Sequence, residues 1–397
     1  MYCVKKITDS LLWTGADDRR IVCFEGVYPV PDGMSYNSYL MNDEKTVLFD
    51  TADKAVTEQF LENVRYGLNG RALDYIIVHH VEPDHTASLA AVKRIYPDAK
   101  IVCTAKAAEM LARFYPEAAT SVMTVAENDT LETGSHTLRF VTAPMVHWPE
   151  VMVTYDETDK ILFSADAFGS FGALNGTLFS DEVCFKRDFL PEGRRYYCNI
   201  VGKYGLQVGM LLKKVSALEI KMICPLHGHV WREKIDKLLE KYSLWSSYTP
   251  EDKSVMIAYA SVYGNTEKAA EVVAEILRSK GADVKLYDVS VKTNDVIVAE
   301  AFRCSHLIFA APTYNGGVFV RMEEALREIA AHGLKNRVCA FIQNGSWAAV
   351  SAKKMQEILS ECKDMTFIEN VLTLKSALAD DQYPEAEAFA DAVLATM

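Results

Sequence analysis

The segment HHVEPDH, residues 79–85, places three histidines and two carboxylates directly after the apolar run YIIV (75–78). Side chains at positions i, i+2 and i+4 of an extended chain point the same way. His80, Glu82 and Asp84 can therefore converge, with His85 beside them. Alternating imidazole and carboxylate groups are typical of metal ligands, and this spacing predicts a metal site.

Three more candidate ligands stand in turn-rich settings. They are His147 in APMVHWPE, Asp166 in FSADAFG and His227 in CPLHGHV. Each follows a strand-like run, where loops leave one edge of a sheet and sites tend to form. With the first segment they supply four imidazoles and three carboxylates. That set is enough for two metal ions, each with two histidines and a carboxylate, and one shared carboxylate.

The number of carboxylates indicates which metal the site would hold. Zinc sites favour nitrogen and sulfur ligands. Histidines mixed with carboxylates and open coordination positions suit non-haem iron. Three carboxylates also offset most of the charge of two ferrous ions, and negative ligands stabilise the ferric state. The residues therefore favour redox chemistry.

A second candidate site lies in the C-terminal part of the chain. SVYGNT (261–266) stands between a strand and a helix, where hydroxyls and backbone N–H groups can hold an anion without a lysine. The G-K-[ST] of a triphosphate-binding loop is absent. PTYNGG (312–317) and NGSW (344–347) follow the third and fourth strands of this region, at the strand ends where doubly wound sheets bind ligands.

The elements that carry these segments predict two domains. SLWSSYTPEDK (243–253) breaks the periodic pattern, so we expect one domain over residues 1–248 and another over 253–397. Upstream, strand-like runs alternate with loops and helices, and a hairpin is expected over 151–164. Downstream, strands and helices alternate cleanly over 255–260, 266–280, 283–288, 306–310, 321–331, 337–342 and 348–361, which predicts a doubly wound parallel sheet of flavodoxin size.

Composition excludes several classes of protein. A net charge of −12 over 397 residues argues against nucleic acid or an anionic membrane as the main partner. No apolar run approaches about 18 residues and the first residues lack a signal-peptide core, so a cytoplasmic location is expected. The nine cysteines are scattered and indicate buried thiols in a reducing compartment. Without C-x-x-C, the chain has no rubredoxin-type iron centre.

The ligand pattern resembles, in order and spacing, that of flavodiiron proteins, and the resemblance covers nearly the whole chain. It implies an α/β fold, with a metallo-β-lactamase-like αββα sandwich followed by a flavodoxin-like sheet. It assigns His80, Glu82 and His147 to the iron nearer the flavin. Asp84, His85 and His227 would bind the other iron, and Asp166 would bridge. Related hydrolases usually carry histidine at the position of Glu82.

The same resemblance implies that the second site binds flavin mononucleotide (FMN). Ser261, Gly264, Asn265 and Thr266 would hold its phosphate. The ribityl chain and ring would be flanked by Tyr314, Asn315, Gly316, Asn344, Gly345 and Trp347. The remaining candidates in these loops are Tyr263, Pro312, Thr313 and Ser346.

The activity implied by the resemblance is reduction of dioxygen to water, of nitric oxide to nitrous oxide, or both. It further implies a head-to-tail homodimer or a dimer of dimers. Because the chain lacks both C-x-x-C and the G-x-G-x-x-G of a dinucleotide site, we expect a separate electron donor of the rubredoxin type. One departure is Glu25, which stands where some relatives carry a histidine near the iron site.

Two alternatives stay open at this point. The first is a metallo-β-lactamase-type hydrolase with a regulatory flavodoxin domain, against which Glu82 argues. The second is a non-catalytic electron carrier or redox sensor, against which the complete ligand set argues.

The remaining histidines and nearby aromatic residues are expected to have other roles. His79 and His229 are predicted to be structural or to support the ligands. His136, His306 and His332 are expected to be surface or core residues without clustered partners. Trp148, Tyr196 and Tyr197 are candidates for lining the metal pocket, with core packing as the alternative.

Overall fold

The structure is a computed structural model and describes residues 2–397. The chain forms two compact units, one made of Met1–Tyr197 and Leu206–Tyr242 and the other of Cys198–Gly205 and Ser243–Met397. The domain boundary expected between residues 248 and 253 stays a prediction. Between residues 2 and 397 no helix is both long enough and apolar enough to cross a membrane.

The first part of the chain is rich in short strands. They are β1 (Lys5–Lys6), β2 (Leu11–Trp13), β3 (Ala16–Asp18), β4 (Cys23–Phe24), β5 (Tyr28–Pro29), β6 (Met34–Tyr36), β7 (Tyr39–Asn42), β8 (Thr46–Phe49), β9 (Tyr75–Ile77), β10 (Lys100–Thr104), β11 (Val122–Val125), β12 (Thr130–Glu132), β13 (Thr137–Thr142), β14 (Met152–Asp156), β15 (Ile161–Phe163) and β16 (Met222–Cys224). The helices are α1 (Thr57–Leu68), α2 (Pro83–Thr86), α3 (Leu89–Ile95), α4 (Ala105–Phe114), α5 (Leu190–Tyr196), α6 (Gly205–Val215) and α7 (Ile235–Ser246).

Two sheets pack face to face in the first unit. One has the order β1-β2-β7-β8-β9-β10-β11 and the other β12-β13-β14-β15-β16. Their apolar faces share one core, in which the rings of Phe49 and Phe163 stack with centroids 3.8 Å apart. Helix α1 buries Phe60, Val64 and Leu68, which are spaced four residues apart and so share one helix face. This is the predicted sandwich.

The parallel part of each sheet is what positions the candidate metal ligands. Strands β8, β9, β10 and β11 run parallel to one another, and β15 runs parallel to β16. Parallel strands end at the same edge of a sheet, so the segments that follow β9, β15 and β16 emerge where side chains can meet.

The C-terminal part of the chain alternates strands and helices. Its strands are β17 (Asp252–Tyr259), β18 (Val284–Asp288), β19 (Cys304–Tyr314), β20 (Gly317–Val318), β21 (Val338–Asn344), β22 (Thr366–Phe367) and β23 (Leu372–Leu374). Its helices are α8 (Asn265–Ser279), α9 (Asn294–Arg303), α10 (Val320–Ala331), α11 (Ser351–Leu359) and α12 (Tyr383–Leu394).

The sheet of the second unit has the order β18-β17-β19-β21-β22, and every pair in that order is parallel. Helices α8 and α12 bury small and apolar side chains against β17, β19 and β21. The predicted fold class, a metallo-β-lactamase-like domain followed by a flavodoxin-like sheet, is confirmed. Helix α9 was not among the predicted elements.

The second unit contains a segment that comes from the middle of the chain. The Asn199 side chain donates to the Asp295 carbonyl at 3.1 Å, and His332 Nε2 lies 3.2 Å from the Asn199 carbonyl. The Tyr248 hydroxyl donates to the Gly202 carbonyl at 2.9 Å. These bonds hold residues 198–205 within the flavodoxin-like unit.

The cysteines differ in part from the expectation. None of the nine forms a disulfide, and six of them are buried. Cys3 and Cys184 are exposed and Cys23 is partly exposed, so the interpretation of every thiol as a buried filler is wrong for these three.

Candidate metal centre and flavin pocket

The seven predicted metal ligands lie together in two adjoining groups. The first group contains His80, Glu82, His147 and Asp166, and the second contains Asp84, His85 and His227. Within each group the candidate ligand atoms all lie within 4.8 Å of one another. Asp166 faces both groups, with Oδ2 3.2 Å from His147 Nε2 and Oδ1 3.0 Å from His85 Nε2.

The HHVEPDH segment reaches both groups because its backbone changes conformation. The chain is extended at Glu82, and helix α2 begins at Pro83, where a proline is favoured in the first turn. The Thr86 hydroxyl donates to the Val81 carbonyl at 2.8 Å and fixes this turn. The expectation that the segment stays extended through Asp84 is therefore wrong, since the helical turn carries Asp84 into the second group.

The other ligands come from loops that follow strands. His147 lies between β13 and β14, Asp166 follows β15, and His227 follows β16. Next to His227, Gly228 has φ +76°, and a Cβ atom there would lie 2.3 Å from the Ser170 hydroxyl oxygen. Only glycine fits at this position without displacing the turn that presents His227.

All four histidines present the same ring nitrogen to the carboxylates. His80 Nε2 and His147 Nε2 each lie 3.0 Å from Glu82 Oε2. In the second group, the Nε2 atoms of His85 and His227 lie 3.4 Å and 3.2 Å from Asp84 Oδ2. Each group therefore presents two imidazole nitrogens around its own carboxylate, with Asp166 between the groups.

The carboxylates change the proton affinity of the buried imidazoles. Burial lowers the pKa of His85, but the negative charges of Asp84 and Asp166 outweigh burial and raise the pKa to about 9. For His147, burial is outweighed by hydrogen bonds to Asp166 and Glu82, and the pKa rises to about 9. Burial raises the pKa of Asp166, but the positive charge of His85 and the contact with His147 hold it well below its usual range.

Several buried polar atoms in the second group are unsatisfied. Within residues 2–397, both oxygens of Asp84, both ring nitrogens of His85 and Nε2 of His227 have no hydrogen-bond partner. The Nε2 atoms of His85 and His227 lie within ion-pair distance of Asp84 Oδ2 but without the alignment that a hydrogen bond needs. Leaving such groups unsatisfied costs about 1–3 kcal/mol each. A bound cation would satisfy the Nε2 atoms and the Asp84 carboxylate, so this set of nitrogen and carboxylate donors fits two metal ions.

Two ligand histidines have partners on the far side of their rings that the sequence analysis missed. His80 Nδ1 lies 3.0 Å from Glu150 Oε1, and His227 Nδ1 lies 2.7 Å from the Ser35 carbonyl. Such contacts fix the tautomer and orientation of a metal-ligating ring. Glu150 stands three residues after His147, which was a weak signal, whereas nothing in the sequence pointed to Ser35.

Aromatic rings surround the metal ligands. Trp148 lies 5.1 Å from the His80 ring and Tyr196 lies 5.7 Å from the His227 ring, between centroids. Tyr197 instead packs on Tyr242 at 5.0 Å, so core packing accounts for it. Burial, followed by the charges of Asp166 and Asp84, raises the pKa of Tyr196 and keeps its hydroxyl protonated.

Glu25 lies beside the ligands on the turn between β4 and β5, with φ +52°. Glu25 is exposed to solvent on one side and partly buried against the site. This burial, together with the negative charge of Glu82, raises the pKa of Glu25 to about 7. The chain thus adds a fourth carboxyl group at the rim of the site.

The remaining histidines are outside both groups. His79 is buried, with Nδ1 2.5 Å from Asp50 and Nε2 2.7 Å from Thr154, and His229 contacts Thr177. His306 contacts Ser305 and Thr396, and His332 contacts backbone carbonyls. His136 lies 2.9 Å from Asp156 with Asp159 nearby, so the expectation that it lacks a clustered partner is wrong.

The second candidate site is an open cavity of about 530 Å³ in the flavodoxin-like unit. All three predicted loops line it, through Ser261, Tyr263, Asn265, Thr266, Pro312, Thr313, Asn315, Gly316, Asn344, Gly345, Ser346 and Trp347. Among the described residues that line the cavity none is charged. An anionic phosphate would therefore be held by hydroxyls and by the N-terminus of helix α8.

The loops of the cavity are held by bonds within the protein. The Ser261 hydroxyl accepts from Gly264 N at 3.0 Å, and Gly264 has φ +91°, which permits the sharp entry into helix α8. Thr313 Oγ1 accepts from Ser351 N at 3.2 Å. Asn344 donates to Thr266 Oγ1 at 3.2 Å and to the Ser376 carbonyl at 2.9 Å, so it supports the walls.

Two predicted flavin residues do not line the cavity and four unpredicted ones do. Gly264 caps helix α8, and the Tyr314 ring packs edge-on against Phe319 at 5.6 Å. The cavity is completed by Val262, Ala348, Val350 and Ser376. Ser376 comes from the loop after β23, which no sequence motif marked. The roles of individual residues in binding iron or flavin stay predictions.

Comparison with known families agrees with both halves of the fold. The ODP family beta lactamase matches residues 34–228, and the flavodoxin family matches residues 257–389. The first match contains all seven candidate ligands, and the second contains the flavin cavity.

Several known proteins resemble the chain over almost its full length. A nitric oxide reductase from Moorella thermoacetica is 30% identical over 360 residues, which is 90% of each chain. The rubredoxin oxygen:oxidoreductase from Desulfovibrio gigas has a TM-score of 0.92 and 27% identity, over 99% of this chain and 98% of that one. The flavodiiron protein from Giardia intestinalis has a TM-score of 0.93 and 26% identity, over 100% and 98%.

A beta-lactamase-type domain with a carboxylate-rich ligand set, joined to a flavodoxin domain, defines an oxidoreductase that combines a metal centre with a flavin. The chain belongs to the flavodiiron protein family. Its cofactors are accordingly FMN and a pair of non-haem iron ions, which fit the two sites described above. The prediction of this family is confirmed, and the hydrolase alternative is not favoured.

Proposed function

We propose that this chain reduces nitric oxide to nitrous oxide, dioxygen to water, or both, at the seven-ligand site. The observation that carries the proposal is Asp166, whose two oxygens face the imidazoles of both ligand groups. Asp166 and the two ligand groups would hold two metal ions, and these would supply the binding and reduction of small gas molecules. The similarity to the nitric oxide reductase from Moorella thermoacetica and the rubredoxin oxygen:oxidoreductase from Desulfovibrio gigas supports these substrates.

Electron counting supports the same pair of substrates. When bound, two ferrous ions supply two electrons and a reduced flavin supplies two more. Four electrons and four protons convert dioxygen to two waters. Two electrons and two protons convert two nitric oxide molecules to nitrous oxide and one water.

The residues of the chain have distinct parts in this proposal. The Nε2 atoms of the four histidines and the three carboxylates would hold the metals. Trp148 and Tyr196 would shape the space beside them and exclude bulk water. The buried Tyr196 hydroxyl would stay protonated near the negative charges of Asp166 and Asp84.

We propose further that electrons arrive from a separate carrier of the rubredoxin type. The flavin cavity is open, and its rim carries Tyr263 and Trp347, two residues that are 92% and 94% exposed. Exposed aromatic residues beside a redox cofactor suit a weak and transient encounter. A head-to-tail homodimer, in which each flavin serves the partner's metals, and a cytoplasmic location complete the proposal.

Anaerobic gas consumption tests the proposed activity. The protein loaded with iron and FMN is reduced with dithionite, excess reductant is removed, and nitric oxide or dioxygen is added in separate electrode experiments. We expect rapid uptake of at least one gas. Asp166→Ala, with its flavin retained, is the matched control and should consume neither at that rate. Lack of uptake by the fully loaded wild type would contradict the proposal.

The donor is tested separately. NADH alone should support no turnover, whereas NADH with a reductase and rubredoxin should support it. Rapid turnover with NADH alone would exclude the separate carrier and leave the proposed gas chemistry intact.

A further inference from the structure

Glu150 is a buried carboxylate directly behind one ligand histidine. Its side chain is completely buried, and Oε1 lies 3.0 Å from His80 Nδ1. The same oxygen accepts from Val81 N at 3.0 Å. The Thr104 hydroxyl donates to the Glu150 carbonyl at 3.0 Å and holds the backbone of this residue. Glu150 is therefore fixed against both the ring and the backbone of the first ligand segment.

The second oxygen of Glu150 is unusual in its surroundings. Oε2 is buried and has no hydrogen-bond partner in the part of the chain that the structure describes. Oε1 faces two nitrogen donors, His80 Nδ1 and Val81 N, as an ionised carboxylate does. The negative charge is thus directed largely at His80 and is poorly screened by solvent.

The second ligand group has no equivalent carboxylate behind its histidines. His227 Nδ1 donates to the neutral Ser35 carbonyl at 2.7 Å. His85 Nδ1 is buried and finds no hydrogen-bond partner within residues 2–397. The two groups have similar candidate ligand atoms, but the Nδ1 atoms of their histidines have different partners.

This difference has a chemical consequence. A carboxylate that accepts from the far nitrogen of an imidazole fixes the ring and makes the near nitrogen a stronger donor to a metal. A neutral carbonyl acceptor strengthens the near nitrogen less, and a far nitrogen without a hydrogen-bond partner does not strengthen it. Extra negative charge near a metal also favours its more oxidised state.

We infer that Glu150 is a positioning residue that makes the His80–Glu82–His147 group the tighter of the two metal sites and lowers its reduction potential. The inference rests on the proposed function only in requiring that both ligand groups bind metal. It adds that the two sites are unequal and assigns the inequality to one side chain.

The chain contains a matched control for this arrangement. His79 and Asp50 form a second buried pair, with Nδ1 2.5 Å from the carboxylate, immediately before His80 in sequence. His79 is in neither ligand group. Asp50→Asn therefore removes a buried carboxylate beside a histidine without removing a partner of a ligand.

The first test is an anaerobic titration of the metal-free, FMN-loaded protein with Co²⁺, followed by its visible absorption. The wild type should bind two ions in two steps. Glu150→Gln, which keeps the shape and the hydrogen-bond acceptor but loses the charge, should weaken the tighter step by about 10–100-fold. Asp50→Asn should leave both steps unchanged, with FMN content and circular dichroism confirming that each variant is folded.

A second pair of variants tests the assignment without altering Glu150. His147→Ala should abolish the tighter Co²⁺ step, and His227→Ala should abolish the weaker one. In iron-loaded protein, Glu150→Gln should shift the midpoint potential of the metal centre upward while the flavin potential stays in place.

The outcomes separate the two levels of inference. Two unequal steps that respond as described support the role of Glu150. Two steps that Glu150→Gln leaves unchanged, or a reversed order of loss for His147→Ala and His227→Ala, would overturn that role and leave the proposed function standing. A wild type that binds no Co²⁺ would overturn both.

Discussion

The metal centre and the flavin pocket are built in opposite ways. Every candidate metal ligand is at most 14% exposed, is ionisable, and faces other ionisable groups. The flavin cavity is open, is lined by described residues that carry no charge, and has two almost fully exposed aromatic residues at its rim. One site has buried atoms without partners, whereas the other holds its loops by bonds within the protein.

This contrast indicates which part of each site depends on its cofactor. Buried, unsatisfied charges make the empty metal centre costly, so metal binding should contribute strongly to the stability of the first unit. The flavin loops are supported by Asn344 and Thr313, so they should keep their shape when FMN is removed.

The largest effect is expected from Asp166→Ala. Because Asp166 faces both ligand groups, its loss should lower iron content more than tenfold. Gas reduction should fall by more than about a hundredfold, because losing a direct ligand costs more than the roughly 10–100-fold cost of losing a residue that hydrogen-bonds to a ligand. FMN content should stay near one per chain. Metal analysis and flavin absorption measure both. Asp156→Asn, a buried carboxylate beside His136, is the control and should keep its iron. Loss of flavin in step with iron would contradict the contrast.

The pH dependence of binding should differ between the sites. In the metal-free protein His85 and His147 have pKa values of about 9, and a metal binds only the neutral rings. Binding therefore releases protons, and affinity for Co²⁺ should rise about tenfold per pH unit and per proton between pH 7 and 9. FMN affinity should change little in that range. Equal pH dependence of the two affinities would argue against the charged character of the metal site.

The same raised pKa values determine how the stability of the metal-free protein changes with pH. A group whose pKa is higher in the folded than in the unfolded state adds stability that is complete below about pH 6.5 and is lost as pH rises through 9. Thermal denaturation of metal-free protein should thus show falling stability from pH 6.5 to 9. The metal-loaded protein, whose imidazoles carry no proton at Nε2, should lack this trend.

A smaller effect is expected from Thr266→Val, which removes a buried hydroxyl at the start of helix α8 without changing its shape. If that hydroxyl donates to the phosphate, its loss costs about 1.5–3 kcal/mol and weakens FMN binding more than tenfold. Fluorescence titration of the flavin-free protein measures the affinity. Ser279→Ala, at the other end of the same helix, should have no effect on it, and iron content should be normal in both variants.

The smallest effect is expected from Trp347→Ala. Stacking of an aromatic ring contributes about 0.5–1.5 kcal/mol, so FMN affinity should fall by roughly 2–12-fold. Tyr314 is the comparison, since its ring packs on Phe319 and it does not line the cavity. Tyr314→Ala should therefore weaken FMN less than Trp347→Ala does. If Tyr314→Ala weakened FMN binding more than Trp347→Ala, Tyr314 would flank the flavin as the sequence predicts.

Much of both sites could be predicted because their residues cluster along the chain. Four ligands lie within residues 80–85, and the flavin loops follow strands with clear alternation. Strand ends position such residues by topology alone, so no long-range packing had to be known. The grouping of the ligands also followed from the resemblance, although the helical turn at Pro83, which produces it, did not.

What could not be predicted depends on contacts between distant segments. Glu150 meets His80 across 70 positions of sequence, and Ser376 reaches the flavin cavity from a loop without a motif. Helix α9 was missed for a local reason. Its Val296, Ile297 and Val298 are β-branched and disfavour helix, but burial of the helix against the sheet of the second unit overrides that preference.

The segment 198–205 has a consequence for how this protein can be dissected. A fragment starting at residue 253 would lack Asn199, whose side chain and carbonyl contact Asp295 and His332. It would also lack Tyr248 and the hydrogen bond from its hydroxyl to the Gly202 carbonyl. The segments of the two units alternate along the chain, so the units are not joined end to end. An exchange of flavodoxin parts between relatives would therefore need to carry residues 198–205 together with residues 243–397, as two inserts transferred at once.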